Sequence, residues 1–425
     1  MKAIMRDERE MKDSGIEWIG KIPIEWQLPQ VRHYYDIDRG RVIAKTEVKS
    51  TALDGYYPVY SSQTKNNGCM GYINTFDYAK EGLTWTTDGA NAGTVFYREG
   101  YYNCTNVCGI LTAKKDNINV KYSSYSIGLS AYNCRREDIN GYKIMSNEMA
   151  AIHFVCPNSI NEQQTIANYL DDCCSKIDTI IAEAKASIEE YKELKQTVIY
   201  EAVTKGLDKN VEMKDSGVEW IGKIAATMVV KKIKYVTHIS RGLFGYRPRN
   251  ASFLYDGPYP FIQTGDVAKS NHYITEYKQT LSEEGKNISR QFPKGTLTMT
   301  IAANVGDVSI LGFDAYFPDS VLGFVPFDKY SSEYLYYIFS TMKEEFVLNA
   351  ISNTQLNLNV ERVKELYIPV EEDVENQCKI IEYLDEQTSK IDTMISEKQS
   401  LIEDLEAYKK SLIYEVVTGK RKVVE

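Results

Sequence analysis

A twelve-residue sequence occurs twice in this chain, as MKDSGIEWIGKI at residues 11–22 and as MKDSGVEWIGKI at residues 213–224. The two copies differ at one position, where Val218 replaces Ile16. Recurrence at a fixed offset limits the possible folds more strongly than any local pattern does, because each copy has to form the same structural unit. A chain of 425 residues is also too long for a single ordinary core, so two or more domains are expected.

The repeat extends over nearly the whole chain, as two units at about 11–206 and 213–420. The offset between the units is 202 residues at the opening motif and 214 at the sequence SKIDT, which begins at Ser175 and again at Ser389. The change falls between residues 262 and 298, so the second copy carries about twelve additional residues there. Copies that agree at their ends and differ inside share a framework and diverge in the function of the interior.

The end of each copy predicts a long helix. Apolar residues recur at alternating steps of four and three from Ile380 to Leu412, and similarly from Ile166 to Val198. This spacing is typical of a coiled-coil seam. A helix over about 375–417 would be roughly 65 Å long. Such a helix cannot bury its apolar stripe alone, so the two long helices are expected to pair with each other in antiparallel orientation.

The interiors of the copies are rich in Tyr, Thr, Gly and Asn and contain short β-like runs, such as GTVFY at 93–97, YPFIQT at 259–264 and GTLTMTI at 295–301. The predicted fold class is α+β, with two globular mixed α/β domains joined by two long antiparallel coiled-coil helices and an internal pseudo-twofold repeat. The expected divisions are an N-terminal conserved segment (1–26), a first variable domain (27–160), a central helical spacer (161–224), a second variable domain (225–370) and a C-terminal helix (371–425).

The net charge of −9 is unevenly distributed. Residues 161–224 and 371–425 carry −5 and −6, whereas residues 23–160 and 225–370 carry +1 each. The two interiors are therefore nearly neutral and can still present local basic faces. No apolar run approaches the roughly 20 residues of a membrane span, and the N-terminus lacks the apolar core of a signal peptide, so a cytoplasmic location is expected.

Recognisable catalytic motifs are missing. The sequence has no Pro-Pro dipeptide of the kind that adenine methyltransferases use to hold a flipped base, and no GxxxxGK[ST] sequence for nucleotide phosphates. Its four histidines and eight cysteines show no metal-ligand spacing, so the cysteines are expected to be reduced and structural. The chain is therefore predicted to be non-catalytic, with no metal site and no cofactor of its own.

The opening MKDSGxEWIGKIP, the two variable domains of about 140 residues and the two similar long helices resemble the specificity subunits of type I restriction–modification systems. This resemblance implies that each variable domain is a target recognition domain that reads one half of a bipartite DNA target. It implies that the helices set the distance between the halves and hold two methyltransferase subunits, while motor–nuclease subunits join for restriction. Adenine-N6 methylation and ATP-dependent cleavage, with S-adenosylmethionine, ATP and Mg²⁺, would then belong to partner subunits.

The residues expected to contact double-stranded DNA offer paired donors and acceptors for base edges, or cations for phosphates. They fall in three pairs of segments that recur between the copies: the loop after YPVY and its longer counterpart, the two Asn-x-Gly sequences, and the two Arg-Gly sequences. The candidates are Ser61, Ser62, Gln63, Thr64, Lys65, Asn66, Asn67, Asn91, Gln263, Thr264, Lys269, Asn271, Lys286, Arg290, Asn304, Arg39, Arg41, Lys45, Arg241, Arg247 and Arg249.

Each of these segments also has a simpler interpretation. The polar loop can be a solvated turn, the Asn-x-Gly sequences can form hairpin turns, and the arginines can form surface salt bridges. For the whole chain, the alternative is a non-catalytic coiled-coil scaffold without DNA specificity. That alternative explains the helices but not a preserved opening motif beside divergent loops.

The second copy departs from the opening motif at two positions. Pro23 and Trp26 of the first copy are replaced by Ala225 and Met228. Because a rigid proline and an aromatic anchor are lost, we expect looser docking at the entry of the second domain.

Overall fold

The computed structural model of the chain contains two compact units, each built around one variable domain. One unit comprises residues 1–184 with 400–425, and the other comprises residues 185–399. Each unit therefore contains part of both long helices. The structure describes residues 1–139, 141–246, 251–352 and 356–424.

The described strands are, in chain order, β1 (Lys2–Met5), β2 (Met11–Asp13), β3 (Lys21–Pro23), β4 (Tyr35–Arg39), β5 (Tyr57–Tyr60), β6 (Cys69–Ile73), β7 (Gly82–Thr86), β8 (Asp88–Gly89), β9 (Val95–Arg98), β10 (Asn103–Cys104), β11 (Cys108–Ala113), β12 (Arg136–Asp138), β13 (Gly141–Lys143), β14 (Met213–Asp215), β15 (Lys223–Ala225), β16 (Val229–Lys232), β17 (Thr237–Arg241), β18 (Tyr255–Phe261), β19 (Tyr273–Ile274), β20 (Gln279–Leu281), β21 (Gln291–Phe292), β22 (Leu297–Thr300), β23 (Val308–Leu311), β24 (Ala315–Tyr316), β25 (Val321–Pro326), β26 (Ile351–Ser352), β27 (Leu356–Asn357), β28 (Tyr367–Val370) and β29 (Arg421–Val424). The described α-helices are α1 (Val120–Cys134), α2 (Ser146–Ala151), α3 (Ile160–Lys205), α4 (Thr264–Lys269), α5 (Glu283–Asn287), α6 (Ser332–Ser340), α7 (Lys343–Leu348), α8 (Val360–Glu365) and α9 (Val374–Val417).

The first unit is built on an antiparallel sheet in the order β4-β11-β7-β9, beside a smaller sheet in the order β10-β5-β6. Strand β7 lies inside the larger sheet, and all five of its residues are buried. Its Trp85 packs across Gly109 of β11, where an added Cβ would lie 2.0 Å from the indole. Glycine at this position lets a large aromatic side chain cover the backbone and fill the core.

The second unit repeats this arrangement. Its sheets run β17-β25-β22-β23-β19 and β20-β18-β24-β21, so the first four strands of the larger sheet match β4-β11-β7-β9 in order. Helices α4 and α5 and strands β19, β20 and β21 lie between residues 262 and 298, where the second copy is longer. The insertion predicted from the change of offset therefore forms its own secondary structure on a common framework.

The two long helices confirm the predicted periodicity. Helix α3 has 46 residues and α9 has 44, and α9 spans the predicted range of about 375–417. In the second unit Lys195 pairs with Asp392 at 2.7 Å, and ten residues further along α3 Lys205 shares a cavity with Lys379. Advancing along one helix thus means retreating along the other, so the pairing is antiparallel.

The repeated opening motif forms a hairpin that docks at the end of a long helix. Strands β2 and β3 pair in the same way as β14 and β15. The hydroxyl of Tyr414 donates to the carbonyl of Ile19 at 3.2 Å in the first unit, and Tyr200 donates to Ile221 at 2.8 Å in the second. These contacts explain why the motif recurs, because in each copy the hairpin provides the surface on which the end of a long helix packs.

The second hairpin docks as closely as the first. Met228 is 1% exposed and Trp26 is 2% exposed. The expectation of looser docking in the second copy is therefore wrong, because a flexible methionine fills the position of the aromatic ring.

The two ends of the described chain meet in the first unit, where β1 and β29 form an antiparallel pair from Lys2 with Val424 to Met5 with Arg421. Over the described ranges, no helix combines the length and the apolar character needed to cross a membrane.

Candidate nucleic-acid interface

The arginines of the first Arg-Gly sequence lie against the turn that joins β10 to β11. Arg39 donates through Nε to the carbonyl of Asn106 at 2.6 Å, and the backbone NH of Arg41 donates to the carbonyl of Cys104 at 3.1 Å. An added Cβ at Gly40 would lie 2.3 Å from the Cys104 carbonyl oxygen, so glycine is required for this approach. The Arg41 guanidinium also pairs with Asp77 at 2.9 Å.

The other two candidate segments of the first unit border the same turn. The NH of Thr105 donates to the carbonyl of Tyr60, the last residue before the polar loop, at 2.9 Å. The hydroxyl of Thr87, which precedes the Asn-x-Gly turn, donates to the carbonyl of Val107 at 3.1 Å. The structure thus brings three segments together that are distant in sequence. We call this the first recognition edge: residues 39–41, 61–68 and 87–94 around the turn at 105–107.

The polar loop between β5 and β6 is held in an unusual backbone conformation. Asn66 and Asn67 have φ values of 50° and 53°, and Gly68 has 80°. Such left-handed values are unfavourable for residues with a Cβ, although asparagine tolerates them better than most. Gln63 donates to the carbonyl of Cys69 and closes the loop. Residues 63–67 are exposed, whereas Ser61 and Ser62 are half-buried.

A residue that sequence reasoning missed lies beneath this loop. Arg98 at the end of β9 is 2% exposed. Its Nη1 donates to the carbonyl of Asn67 at 2.8 Å, and its Nε donates to the hydroxyl of Thr84 at 3.0 Å. Its guanidinium lies 3.5 Å from the centre of the Tyr60 ring. Burial lowers the pKa of Arg98.

The two Asn-x-Gly sequences form equivalent turns. The carbonyl of Asn91 accepts a hydrogen bond from the hydroxyl of Thr86, and the carbonyl of Asn304 accepts one from Thr300. The glycine two residues later, Gly93 in the first turn, has a positive φ in both. The recurrence therefore has a structural basis in the backbone, while both asparagine side chains are exposed at the edge.

The second unit has a corresponding edge around the turn between β24 and β25. Arg241 donates through Nε to the carbonyl of Asp319 at 2.5 Å, as Arg39 does to Asn106. The segment after β18 and the segment before the Asn304 turn also contact residues 316–320 through Ile262 and Ile301. We call this the second recognition edge: residues 241–243, 262–264 and 301–307 around the turn at 317–320.

The candidate residues in the longer loop of the second unit do not lie together. Arg290 lies at the second recognition edge, where it donates to the carbonyl of Arg241 at 3.1 Å. Gln263 caps α4 and donates to Gln279 at 2.9 Å, and Thr264 is the first residue of that helix. Lys286 lies beside the sheet, paired with Glu283 at 3.0 Å.

Two further candidates, Lys269 and Asn271, lie in the insertion. Their described contacts are with residues outside the second recognition edge. Lys269 lines a cavity of about 480 Å³ together with Lys278, and this second ammonium lowers the pKa of Lys269. Asn271 lines the same cavity, and its carbonyl accepts a hydrogen bond from Tyr336 at 2.5 Å. In the first unit Lys45 is exposed on a short 3-10 turn. The remaining candidates, Arg247 and Arg249, lie outside the described residues.

A second site recurs in the framework rather than in the loops. In the first unit Tyr125 of α1 donates to Asp171 of α3 at 2.8 Å, and Lys409 of α9 pairs with Asp178 of α3 at 2.6 Å. These residues line an open groove of about 640 Å³ beside the SKIDT sequence that begins at Ser175.

The second unit contains the same groove with the two long helices exchanged. Tyr337 of α6 donates to Asp385 of α9, and Lys195 of α3 pairs with Asp392 of α9. This groove measures about 460 Å³ and includes the second SKIDT sequence, from Ser389. Burial raises the pKa of both groove tyrosines, so their hydroxyls stay protonated and act as donors. We call the two sites the helix grooves.

Comparison with known proteins places the sequence of this chain in a family. A sequence profile described as the type I restriction modification DNA specificity domain matches residues 23–190 and 226–404. A Mycoplasma pneumoniae protein assigned as a type I specificity subunit is 26% identical over 341 residues, which cover 80% of this chain and 84% of that protein. Another protein of that organism, assigned as the N-terminus of such a subunit, is 43% identical over 142 residues, which cover 33% of this chain and 74% of its own length.

A similar fold is found among solved structures. A chain from work on complex assembly and conformational transition of the type I R-M system aligns with a TM-score of 0.70. The alignment covers 94% of this chain and 99% of the other, at 12% sequence identity. At this level of identity the similarity shows a shared fold.

Proposed function

Because this chain belongs to the type I restriction–modification DNA specificity family, we propose that each of its units reads one half of a bipartite DNA target. The observation that carries this proposal is a pair of recognition edges on one framework. The edges share their Arg-Gly contacts and their Asn-x-Gly turns, but their loops differ in length, in secondary structure and in side chains. A duplicated framework with divergent loops suits a protein that reads two different sequences with the same backbone geometry.

The chemistry of the edges supports DNA contact. Exposed Asn and Gln side chains offer paired donors and acceptors to base edges in the major groove, and arginine and lysine suit phosphates or guanine. Gln63, Lys65 and Asn66 are exposed at the first edge, and Asn304 and Arg290 are exposed at the second. In this proposal the contacts with bases specify the DNA sequence, and the arginines contact phosphates and so position the DNA backbone.

Mapping of methylated adenines tests the proposal. The chain is co-expressed with its methyltransferase partner in a host without the system, and the modified motif is read by single-molecule sequencing. We expect one motif with two specified halves and an unspecified spacer. Replacing residues 61–68 by Gly-Ser residues should degrade one half and leave the other unaltered. The absence of sequence-specific methylation, or loss of both halves on this single replacement, would contradict the proposal.

The helix grooves support a second part of the proposal, that two copies of the methyltransferase subunit dock on this chain. Both grooves present a tyrosine–carboxylate hydrogen bond and a lysine–carboxylate pair contributed by the two long helices. Shared contacts in both units, beside edges that differ, fit one kind of partner bound twice, although Asn271 and His272 line the second groove alone. Hydroxyls and charged pairs on an open surface suit polar side chains of a partner helix.

The stoichiometry of the complex tests this docking. Ser175→Arg in the first groove should reduce the bound methyltransferase from two copies to one, as should Ser389→Arg in the second, because a bulky cation obstructs the groove. The double variant should bind none. Ala186→Arg, on an exposed position of α3 outside both grooves, is the control and should keep two copies. Native mass spectrometry counts the subunits, and two copies on the double variant would refute the assignment.

The remaining activities of the system belong, in this proposal, to partners. The methyltransferase subunits supply adenine-N6 methylation with S-adenosylmethionine, and motor–nuclease subunits supply ATP- and Mg²⁺-dependent cleavage. The chain itself contributes sequence recognition on double-stranded DNA in the cytoplasm.

A further inference from the structure

Arg98 is a buried cation that forms no ion pair with a carboxylate among the described residues. A buried charge without a counter-ion is costly unless hydrogen bonds and π contacts compensate it. Its compensation comes from the Asn67 carbonyl, the Thr84 hydroxyl and the rings of Tyr60 and Phe96, at 3.5 and 4.6 Å from the guanidinium carbon. Only one of these partners, Asn67, belongs to the polar loop.

The contact with Asn67 falls where the loop most needs support. Three consecutive residues, from Asn66 to Gly68, have positive φ. An added Cβ at Gly68 would lie 3.0 Å from Nη2 of Arg98, so the glycine leaves room for the guanidinium to reach the loop backbone. The planar guanidinium can hold several acceptors at fixed angles, which a lysine ammonium cannot do.

The second unit lacks this arrangement at the equivalent position. Leu83 and Leu297 occupy equivalent positions in the two copies. Leu83 pairs with Tyr97, which precedes Arg98, and Leu297 pairs with Ile310, which precedes Leu311. Leu311 is therefore the counterpart of Arg98. Leu311 is buried in an apolar cluster with Ile262, which stands where the first unit has Tyr60. The contacts of Arg98 with the polar loop are therefore specific to the first unit, although β9 itself is a strand of the common framework.

We propose that Arg98 is a positioning residue for sequence recognition: by binding the Asn67 carbonyl it fixes the exposed side chains of residues 63–67 in the arrangement that reads the first half-site. This inference rests on the proposed function and extends it to a residue that is too deeply buried to touch DNA. Loss of the guanidinium leaves the left-handed segment free to relax, so the loop side chains lose their common register.

The test uses the full chain in complex with its methyltransferase, with Arg98→Leu, Arg98→Lys and the control Arg32→Leu, an exposed arginine of the same unit. Methylated motifs are mapped, and kcat/KM is measured on the wild-type target and on targets with one changed base in each half. For Arg98→Leu we expect at least a tenfold loss of discrimination in one half-site and unaltered discrimination in the other. Arg98→Lys should restore part of it, and Arg32→Leu should match the wild type.

The half-site whose discrimination is unaltered serves as an internal control, because it shows that the variant chain has folded and assembled with its methyltransferase. Wild-type discrimination in both halves of Arg98→Leu would overturn the proposal, as would an equal loss of rate on all targets, which indicates a merely structural role. If the leucine variant fails to fold, the lysine variant decides, and its retention of full discrimination in both halves would overturn the proposal. Failure of the proposed function is distinct, because the wild-type complex would then show no bipartite motif.

Discussion

Lengthening the helices should change the spacing of the DNA target and leave both half-sites intact. The two compact units divide α3 between residues 184 and 185, and α9 between 399 and 400. Four residues inserted at both places leave the ion pairs within each unit, such as Lys195 with Asp392, in register. Each helix grows by about 6 Å and turns by about 400°, a net rotation of about 40°.

One base pair of B-DNA advances about 3.4 Å and turns by about 35°. The added rotation therefore matches one base pair, while the added length matches nearly two. Rotation should dominate, because a domain turned away from its groove loses every base contact, whereas bending DNA to absorb a few Å costs a few kcal/mol. We expect the spacer to grow by one base pair, at most two, with some loss of stability because four residues shift the heptad phase.

The assay is the methylated motif in cells that carry the insertion variant and its methyltransferase partner. The control places the same four residues in the connection at 207–210, outside the helices, where the spacer should stay unchanged. Active methylation with an unaltered spacer in the helix variant would show that the helices do not set the distance.

Further predictions concern affinity and packing. The isolated chain should bind DNA more weakly than nanomolar at about 150 mM salt, with a shallow salt dependence, because its variable domains carry little net charge; nanomolar binding would contradict this. Gln63→Ala or Lys65→Ala should each weaken target binding by about 1–3 kcal/mol in a titration, because each side chain contacts a base in this proposal; wild-type affinity of both variants would contradict it. Gly40→Ala should lower the free energy of unfolding in urea by about 1–3 kcal/mol, because the added Cβ would lie 2.3 Å from a carbonyl oxygen. Gly265→Ala, in a helix with no atom near the added Cβ, should leave that free energy unchanged or raise it. Equal unfolding midpoints for the two glycine variants would contradict the close approach.

The framework was predictable because its signals are repeated and periodic. The recurrence of the opening motif, the long helices and the site of the insertion follow from comparing one half of the sequence with the other, whereas the hairpin that the motif forms does not. The α9 helix begins at Val374, within one residue of the predicted start. The sequences YPVY and GTVFY also predict strands, and β5 coincides with the first while β9 overlaps the last three residues of the second.

Contacts between distant segments were not predictable in the same way. Arg98 and Asn67 are 31 residues apart and meet only because β9 ends beneath the loop. Likewise, nothing in the sequence marks the turn at 105–107 as the place where three candidate segments converge. The two groove tyrosines share a pattern in the sequence, because each is the second tyrosine of a Tyr-x-x-Tyr spacing that ends at Tyr125 or Tyr337. The pattern gains meaning only from the structure, where both tyrosines donate to equivalent aspartates.

The central claim, that two interchangeable readers share one framework, is tested most directly by giving the chain the same reader twice. Residues 229–374 of the second copy replace residues 27–160, the equivalent range at the offsets of 202 and 214. The methylated motif of the resulting complex is then mapped beside that of the wild type. The account predicts a motif with the same half-site on both sides of the spacer, identical to one half of the wild-type motif. An active complex whose motif keeps two different halves would contradict it.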